Sequence, residues 1–289
     1  MILSLATVVM AVVAGCVNNS PSSKIVTVTL PPQKYLVEQI AGDNFEVRCL
    51  LSNGANPETY DPTVTNMMNL DKSMAYIRLG NVGFEDAVLE KIALANPSLP
   101  IYDISDGIEL ITGTHAHTHG HAGEAVEHDT PDPHTWTSVK NARIMASNIL
   151  QALKEIDPAS TAEYNANYER LVGRLDSLDA AFSTRLAAAG HPAFIVWHPS
   201  LSYFARDYGL NQIVAGGAEN KEASVTAVRE AIDKATEAGA SIFFYQKDID
   251  SRQLAALNSS INATEVDINP LSADWETEMT KIVDALTAK

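Results

Sequence analysis

Cysteine is nearly missing from this chain: Cys16 and Cys49 are the only thiols in 289 residues. Two thiols cannot build a disulfide framework or a thiolate-rich metal site. Basic residues are scarce too. Twenty Lys and Arg stand against 36 Asp and Glu, a formal net charge of -16, with no clustered Lys/Arg stripe. That balance excludes nucleic acid as a partner, whereas an acidic surface attracts cations. Catalytic signatures are lacking as well. The chain has no His-Glu-x-x-His helix motif, no Gly-x-Ser-x-Gly elbow and no phosphate-binding glycine loop. A secreted zinc hydrolase, with three protein ligands, an open position and a nearby base, is the alternative from an enzyme class, and nothing local supports it. The chain reads as a binding protein, not an enzyme.

Long apolar runs are also absent beyond residues 1–15, and that stretch is too short to span a bilayer comfortably. Its uncharged Ile, Leu, Val and Ala read as the apolar part of a secretory signal peptide. It ends in Val13-Ala14-Gly15-Cys16, which resembles a bacterial lipobox and makes Cys16 the lipidation site. Residues 16–23 follow as a polar tether. The expected location is periplasmic or extracytoplasmic, lipid-anchored to the membrane. Cys49 then has no partner and reads as a small core residue of a strand.

What the chain does have is histidine in an unusual arrangement. His115, His117, His119 and His121 alternate within a Gly- and Ala-rich stretch, residues 112–130, and His128 follows. Imidazole suits zinc, copper, nickel and iron, so this run points to a transition metal.

After the tether, β-branched runs alternate with helical periodicity, the pattern of βα units and parallel sheets. Strands are expected near residues 25–30, 45–51, 75–79 and 101–104, and again near 193–197, 212–215, 241–245 and 263–268. The expected fold class is α/β: two lobes, each a four-stranded parallel βα sheet. Between them Tyr164, Tyr168, Leu171, Leu175, Leu178, Phe182 and Leu186 recur at gaps of three and four, one apolar face along a long helix. Ser160 and Glu163 carry a capping-box pattern at its start, and Gly190 and Pro192 mark its end. The heptad-like pattern lasts barely three heptads, too few to favour a coiled-coil dimer, and a monomer is expected. The division is residues 1–15 signal peptide, 16–23 tether, 24–156 N-terminal lobe including the histidine loop, 157–190 linking helix and 191–289 C-terminal lobe.

In open parallel sheets ligands bind beyond the carboxyl ends of the strands. Donor side chains fall there in both halves: Glu58, His134 and His198, then Gln246, Asp248, Asp267 and Asn269. Together they bring nitrogen and oxygen donors to the facing ends of two lobes, the donor types of a zinc site without thiolates.

The segments around these residues resemble the metal-binding proteins of bacterial ABC importers for zinc and manganese, cluster A-I, most closely the zinc-type, ZnuA-like members. The resemblance rests on Gly54-Ala55-Asn56-Pro57-Glu58-Thr59-Tyr60-Asp61-Pro62, on Asp132-Pro133-His134-Thr135-Trp136 directly after the histidine loop, and on His198-Pro199-Ser200-Leu201-Ser202-Tyr203-Phe204 with Tyr208-Gly209-Leu210. It covers nearly the whole of residues 24–289. It implies two βα lobes joined by one rigid helix, with Zn(II) as transported ligand held in the cleft and passed to an ABC permease and its ATPase. Carried over by position, His134 and His198 are metal ligands, and His198 favours zinc where manganese-type members have Glu. Glu58 stands where the family usually has His. At the fourth position Asn269 stands in place of the usual Asp, and Asp267 on the same strand face, Gln246 or water are the alternatives to it. The loop histidines become an accessory metal loop for capture, delivery or sensing. A manganese or iron carrier is the nearest competing reading, and a lipid-anchored adhesin is a third.

Overall fold

A computed structural model describes residues 24–51, 54–112, 131–216, 225–246 and 251–288. Residues 1–23 with Cys16, the histidines at 115, 117, 119, 121 and 128, and Asp248 lie outside the described residues.

The N-terminal lobe alternates β1 (Ile25–Val28), α1 (Pro31–Ala41), β2 (Glu46–Cys49), α2 (Val64–Leu70), β3 (Ala75–Arg78), α3 (Phe84–Ala95) and β4 (Ile101–Asp103). After it come α4 (Val139–Ile156) and the long α5 (Thr161–Ala188). The C-terminal lobe repeats the plan with β5 (Ala193–Val196), α6 (Ser202–Tyr208), β6 (Asn211–Val214), α7 (Val225–Glu237), β7 (Ile242–Tyr245), α8 (Ser251–Ile261), β8 (Thr264–Asp267) and α9 (Trp275–Thr287). The sheet orders are β2-β1-β3-β4 and β6-β5-β7-β8, and every pairing is parallel. The strand order reverses beside β1 in one sheet and beside β5 in the other, which opens a crevice at the carboxyl ends of each. The expected α/β class and two-lobe topology are the observed ones.

Strand alternation sorts the core. Phe194 and Val196 of β5 and Phe244 of β7 join a large apolar cluster shared with the N-terminal lobe and α5, whereas Ile195, Trp197 and Phe243 face a smaller cluster with Leu254 and Leu257. The two faces follow from the period-2 strand. One apolar core therefore runs through the linking helix and across the lobe boundary, so the lobes are packed together as well as tethered. Within α5, Tyr164, Leu171, Leu175, Phe182 and Leu186 are buried, the stripe that the spacing implies.

The start of α5 departs from expectation. Ser160 makes no side-chain cap, and a 3-10 turn, Pro158–Ser160, precedes the helix. Its hydroxyl donates instead to Asp157 Oδ2 at 2.9 Å, beside the Tyr164 hydroxyl and Lys24 Nζ, each also at 2.9 Å. Three converging donors outcompete the cap. The Lys24 hydrogen bond, with help from Ser160 and Tyr164, holds the Asp157 carboxyl below its ordinary range despite burial. A depressed folded value gives stability present above the unfolded pKa, near about 3.9, and lost as the pH falls through the folded one. Asp157→Ala is expected to cost about 2 kcal/mol at neutral pH, with the gap to wild type closing in acid, as read by urea unfolding.

Cys49 is half-buried, with its Sγ 3.3 Å from Thr29 O, and burial pushes its thiol up to about 12. It stays protonated at neutral pH and behaves as packing, in line with its strand position.

Candidate metal centre

Glu58 is delivered by the loop after β2. Asn56 Oδ1 accepts the Glu58 N–H at 2.9 Å, a side-chain turn that fixes the backbone locally. Tyr60 anchors the far side: its hydroxyl donates to Leu50 O at 3.0 Å, and its ring meets Phe84 edge-on with centroids 5.1 Å apart. Thr63 then accepts from Asn66 N and starts α2. The Asn-Pro-Glu-Thr-Tyr string is thus a brace that turns the Glu58 carboxylate inward.

His134 is set by Asp132. One Asp132 oxygen lies 2.9 Å from the His134 backbone N and 2.8 Å from its Nδ1. Both side chains are almost fully buried, at 4% and 0% exposure. A carboxylate on Nδ1 selects the tautomer that leaves Nε2 as the outward donor, the arrangement by which metal-ligating histidines are oriented. Asp132 is held in turn from the other lobe: the Tyr203 hydroxyl donates to Asp132 O at 2.7 Å. Burial pushes that phenol up to about 12, so it remains a donor at neutral pH.

His198 follows β5 and approaches from the C-terminal lobe. Its Nε2 lies 3.1 Å from His134 Nε2 and 3.3 Å from Glu58 Oε1. Donor atoms of the three residues all fall within 4.8 Å of one another. Two donors on a tetrahedral zinc with bonds near about 2.0–2.1 Å sit about 3.3 Å apart, so these separations are those of a coordination edge. Both Glu58 oxygens are buried and receive no hydrogen bond from any described residue. A buried carboxylate without donors is costly in isolation and is compensated by a cation.

Asp267 is not among the clustered donors, and it lines the same cleft, of about 710 Å³, with Gln246 and Asn269. Its Oδ1 sits 3.4 Å from Lys281 Nζ. Asn269 is exposed, and its Oδ1 accepts Leu271 N–H at 3.2 Å, closing a turn. Sequence reasoning missed the part of Asp132, although an Asp two residues before a candidate ligand is a readable signal. It also missed Tyr203, whose partner is 71 residues away. The neighbouring Tyr208-Gly209-Leu210 string has a plainer role: Gly209, at φ +64°, ends α6 in the left-handed conformation, where glycine bears no Cβ penalty.

Two parallel βα lobes packed on one long helix, with imidazoles and a carboxylate meeting in the cleft between them, define a substrate-binding protein of a metal-ion importer. The chain belongs to the family described as the zinc-uptake complex component A, periplasmic, which matches residues 26–289. It is similar to the high-affinity zinc uptake system protein ZnuA of Bacillus subtilis, 24% identical over 279 residues, 93% of this chain and 88% of that one. It is also similar to a putative metal-binding protein of Chlamydia trachomatis, 28% identical over 252 residues, 87% of this chain and 86% of its relative. Among solved structures, a crystal structure of ZnuA shares 31% identity with a TM-score of 0.80, covering 91% of this chain and 99% of the other. A manganese-bound periplasmic metal-binding protein from Candidatus Liberibacter asiaticus, at 21% identity and a TM-score of 0.75, shares the fold. The family comprises extracytoplasmic metal-binding components of ABC uptake systems, which are not enzymes. Among the described residues, no helix is long and apolar enough to cross a membrane.

Proposed function

We propose that this protein captures Zn(II) outside the cytoplasmic membrane, binds it through Glu58, His134 and His198, and delivers it to the permease of an ABC importer. The observation that carries this reading is the meeting, within 4.8 Å, of two imidazole nitrogens and a buried carboxylate that accepts no hydrogen bond from the described residues. A set of two nitrogens and one oxygen suits zinc, which accepts four ligands and tolerates a carboxylate among them. The fourth place falls to water, to Asn269, whose amide oxygen keeps a second lone pair beside its bond from Leu271 N–H, or to Asp267 after a turn away from Lys281. Residues 1–15 are then removed as a signal peptide, Cys16 carries the lipid, and residues 16–23 tether the lobes, 24–156 and 191–289, joined through 157–190. His115, His117, His119, His121 and His128 serve as a weak accessory loop that collects zinc near the cleft. The protein acts as a monomer until it docks.

Glu58 favours one competing cargo. A carboxylate with two imidazoles is a harder donor set than three imidazoles and brings manganese or iron closer in affinity. Exposing the purified protein to equimolar Zn(II), Mn(II) and Fe(II), then measuring retained metal by mass spectrometry, separates the readings. One equivalent of zinc is expected; manganese or iron in its place overturns the zinc assignment.

A further inference from the structure

The donor atoms come from different lobes: Glu58 and His134 from the N-terminal one, His198 from the C-terminal one. Their spacing therefore depends on how the lobes are held, and beside the Tyr203 hydroxyl on Asp132 O a reciprocal tie lies directly behind His134. Trp136, in the 3-10 turn Thr135–Thr137, donates from Nε1 to Pro270 O at 2.8 Å, reaching the C-terminal lobe. Trp275, the first residue of α9, donates from Nε1 to Trp136 O at 2.8 Å, in the opposite sense. Each indole is 3% exposed, so both bonds lie in the dry interior of the lobe contact, shielded from competition with water while the lobes stay packed.

Each end of this pair has its own support. The Trp136 ring packs on the His134 ring with centroids 5.1 Å apart, and Pro270 follows Asn269 in the cleft wall. The Trp275 ring stacks on Tyr35 of α1 at 6.2 Å and 25°. Tyr35 also donates its hydroxyl to Glu276, and Arg174 of α5 reaches Glu276 at 3.3 Å and Gln39 at 2.6 Å. The start of α9 is thereby fixed to the N-terminal lobe and to the linking helix at one point.

We propose that Trp136 and Trp275 are positioning residues: the reciprocal indole bonds set the lobe separation, hold His134 Nε2 at coordination distance from His198, and so govern how long the metal stays bound. This rests on the reading of the cleft as the zinc site. A preorganised site gains affinity through slow release, because donors held at coordination distance must be broken away together before the metal leaves, and differences among variants of one site fall mostly on the off-rate. Loosening the tie therefore acts on dissociation and leaves association nearly unchanged.

The test compares zinc dissociation into a chelating dye by stopped flow for the full mature chain and for Trp275→Phe, which keeps a ring against Tyr35 and removes the donor. One lost buried hydrogen bond predicts dissociation about ten-fold faster, equivalent to about 1.4 kcal/mol, with association within about two-fold of wild type. Val88→Ala, a truncation in the N-terminal core away from the tie, lowers stability but leaves the dissociation rate at the wild-type value. Should Trp275→Phe fail to fold, Trp136→Phe removes the opposite bond while keeping a ring on His134, and the same acceleration is expected. Dissociation from the Phe variant within about two-fold of wild type overturns the proposal, as does equal acceleration in Val88→Ala. Zinc that remains tightly bound in His198→Ala overturns the reading of the cleft itself, and this proposal with it.

Discussion

Zinc affinity is expected to fall by more than about 100-fold in His134→Ala and in His198→Ala, because losing a residue that merely orients a ligand already costs about 10- to 100-fold. The two losses differ in character. His134 lies deep, with Asp132 on its Nδ1 and Trp136 against its ring. Its removal also leaves a fully buried carboxylate facing a cavity, so His134→Ala loses about 1–3 kcal/mol of folding stability in addition. His198 stands on the C-terminal side of the cleft at 9% exposure, and its truncation removes metal affinity with a smaller stability cost. Competition titration against a chelator of known affinity measures the first effect, and urea unfolding of the metal-free proteins measures the second. An affinity loss below about ten-fold in both variants contradicts the assigned site.

The largest effect on stability is expected at Glu85, which takes no part in metal capture. Its carboxylate is fully buried where the strand order reverses in the N-terminal sheet. It accepts from Leu79 N at 2.8 Å, Gly80 N at 2.9 Å and the Thr29 hydroxyl, with Arg78 Nε 3.4 Å away. It thus occupies the crevice in which an open α/β sheet would otherwise receive a ligand, and it ties β1 and β3 to the first turn of α3. Glu85→Ala strands these donors in the interior and is expected to cost about 3–5 kcal/mol. Burial raises the Glu85 carboxyl, while Thr29, Arg78 and the two amides pull it back only partly. A raised folded value means that its contribution is fullest below the unfolded range, near about 4.3, and declines as the pH rises through the folded one. The loss in Glu85→Ala should therefore grow as the pH is lowered from neutral. Denaturant unfolding across that range checks both points, and a loss under about 1 kcal/mol contradicts them.

What could be read from the amino acids alone has a physical pattern. The strands announced themselves through short β-branched runs, and α5 through apolar gaps of three and four, because both signals are local. Glu58, His134 and His198 were singled out because each follows a strand and falls in a motif of the family, and the structure brings their donor atoms within 4.8 Å of one another. Signals that depend on distant partners were not legible. The Ser160 cap failed because Asp157, gathering Lys24 from 133 residues away, captured the hydroxyl. The indole pair joins positions 139 residues apart, and nothing in the spacing of Trp136 and Trp275 forecasts it.

These elements make one account. A two-lobed frame brings two imidazoles from opposite lobes together beside a buried carboxylate that accepts no hydrogen bond from the described residues, and the indole pair ties the lobes behind them. In the proposed function a single zinc ion sits among Glu58, His134 and His198. The most direct test is a crystal of the zinc-loaded protein measured on both sides of the zinc absorption edge. One strong anomalous peak is expected within about 2.0–2.2 Å of the His134 and His198 Nε2 atoms and a Glu58 oxygen. A cleft without such a peak, with zinc held only by the histidines of residues 115–128, would contradict it.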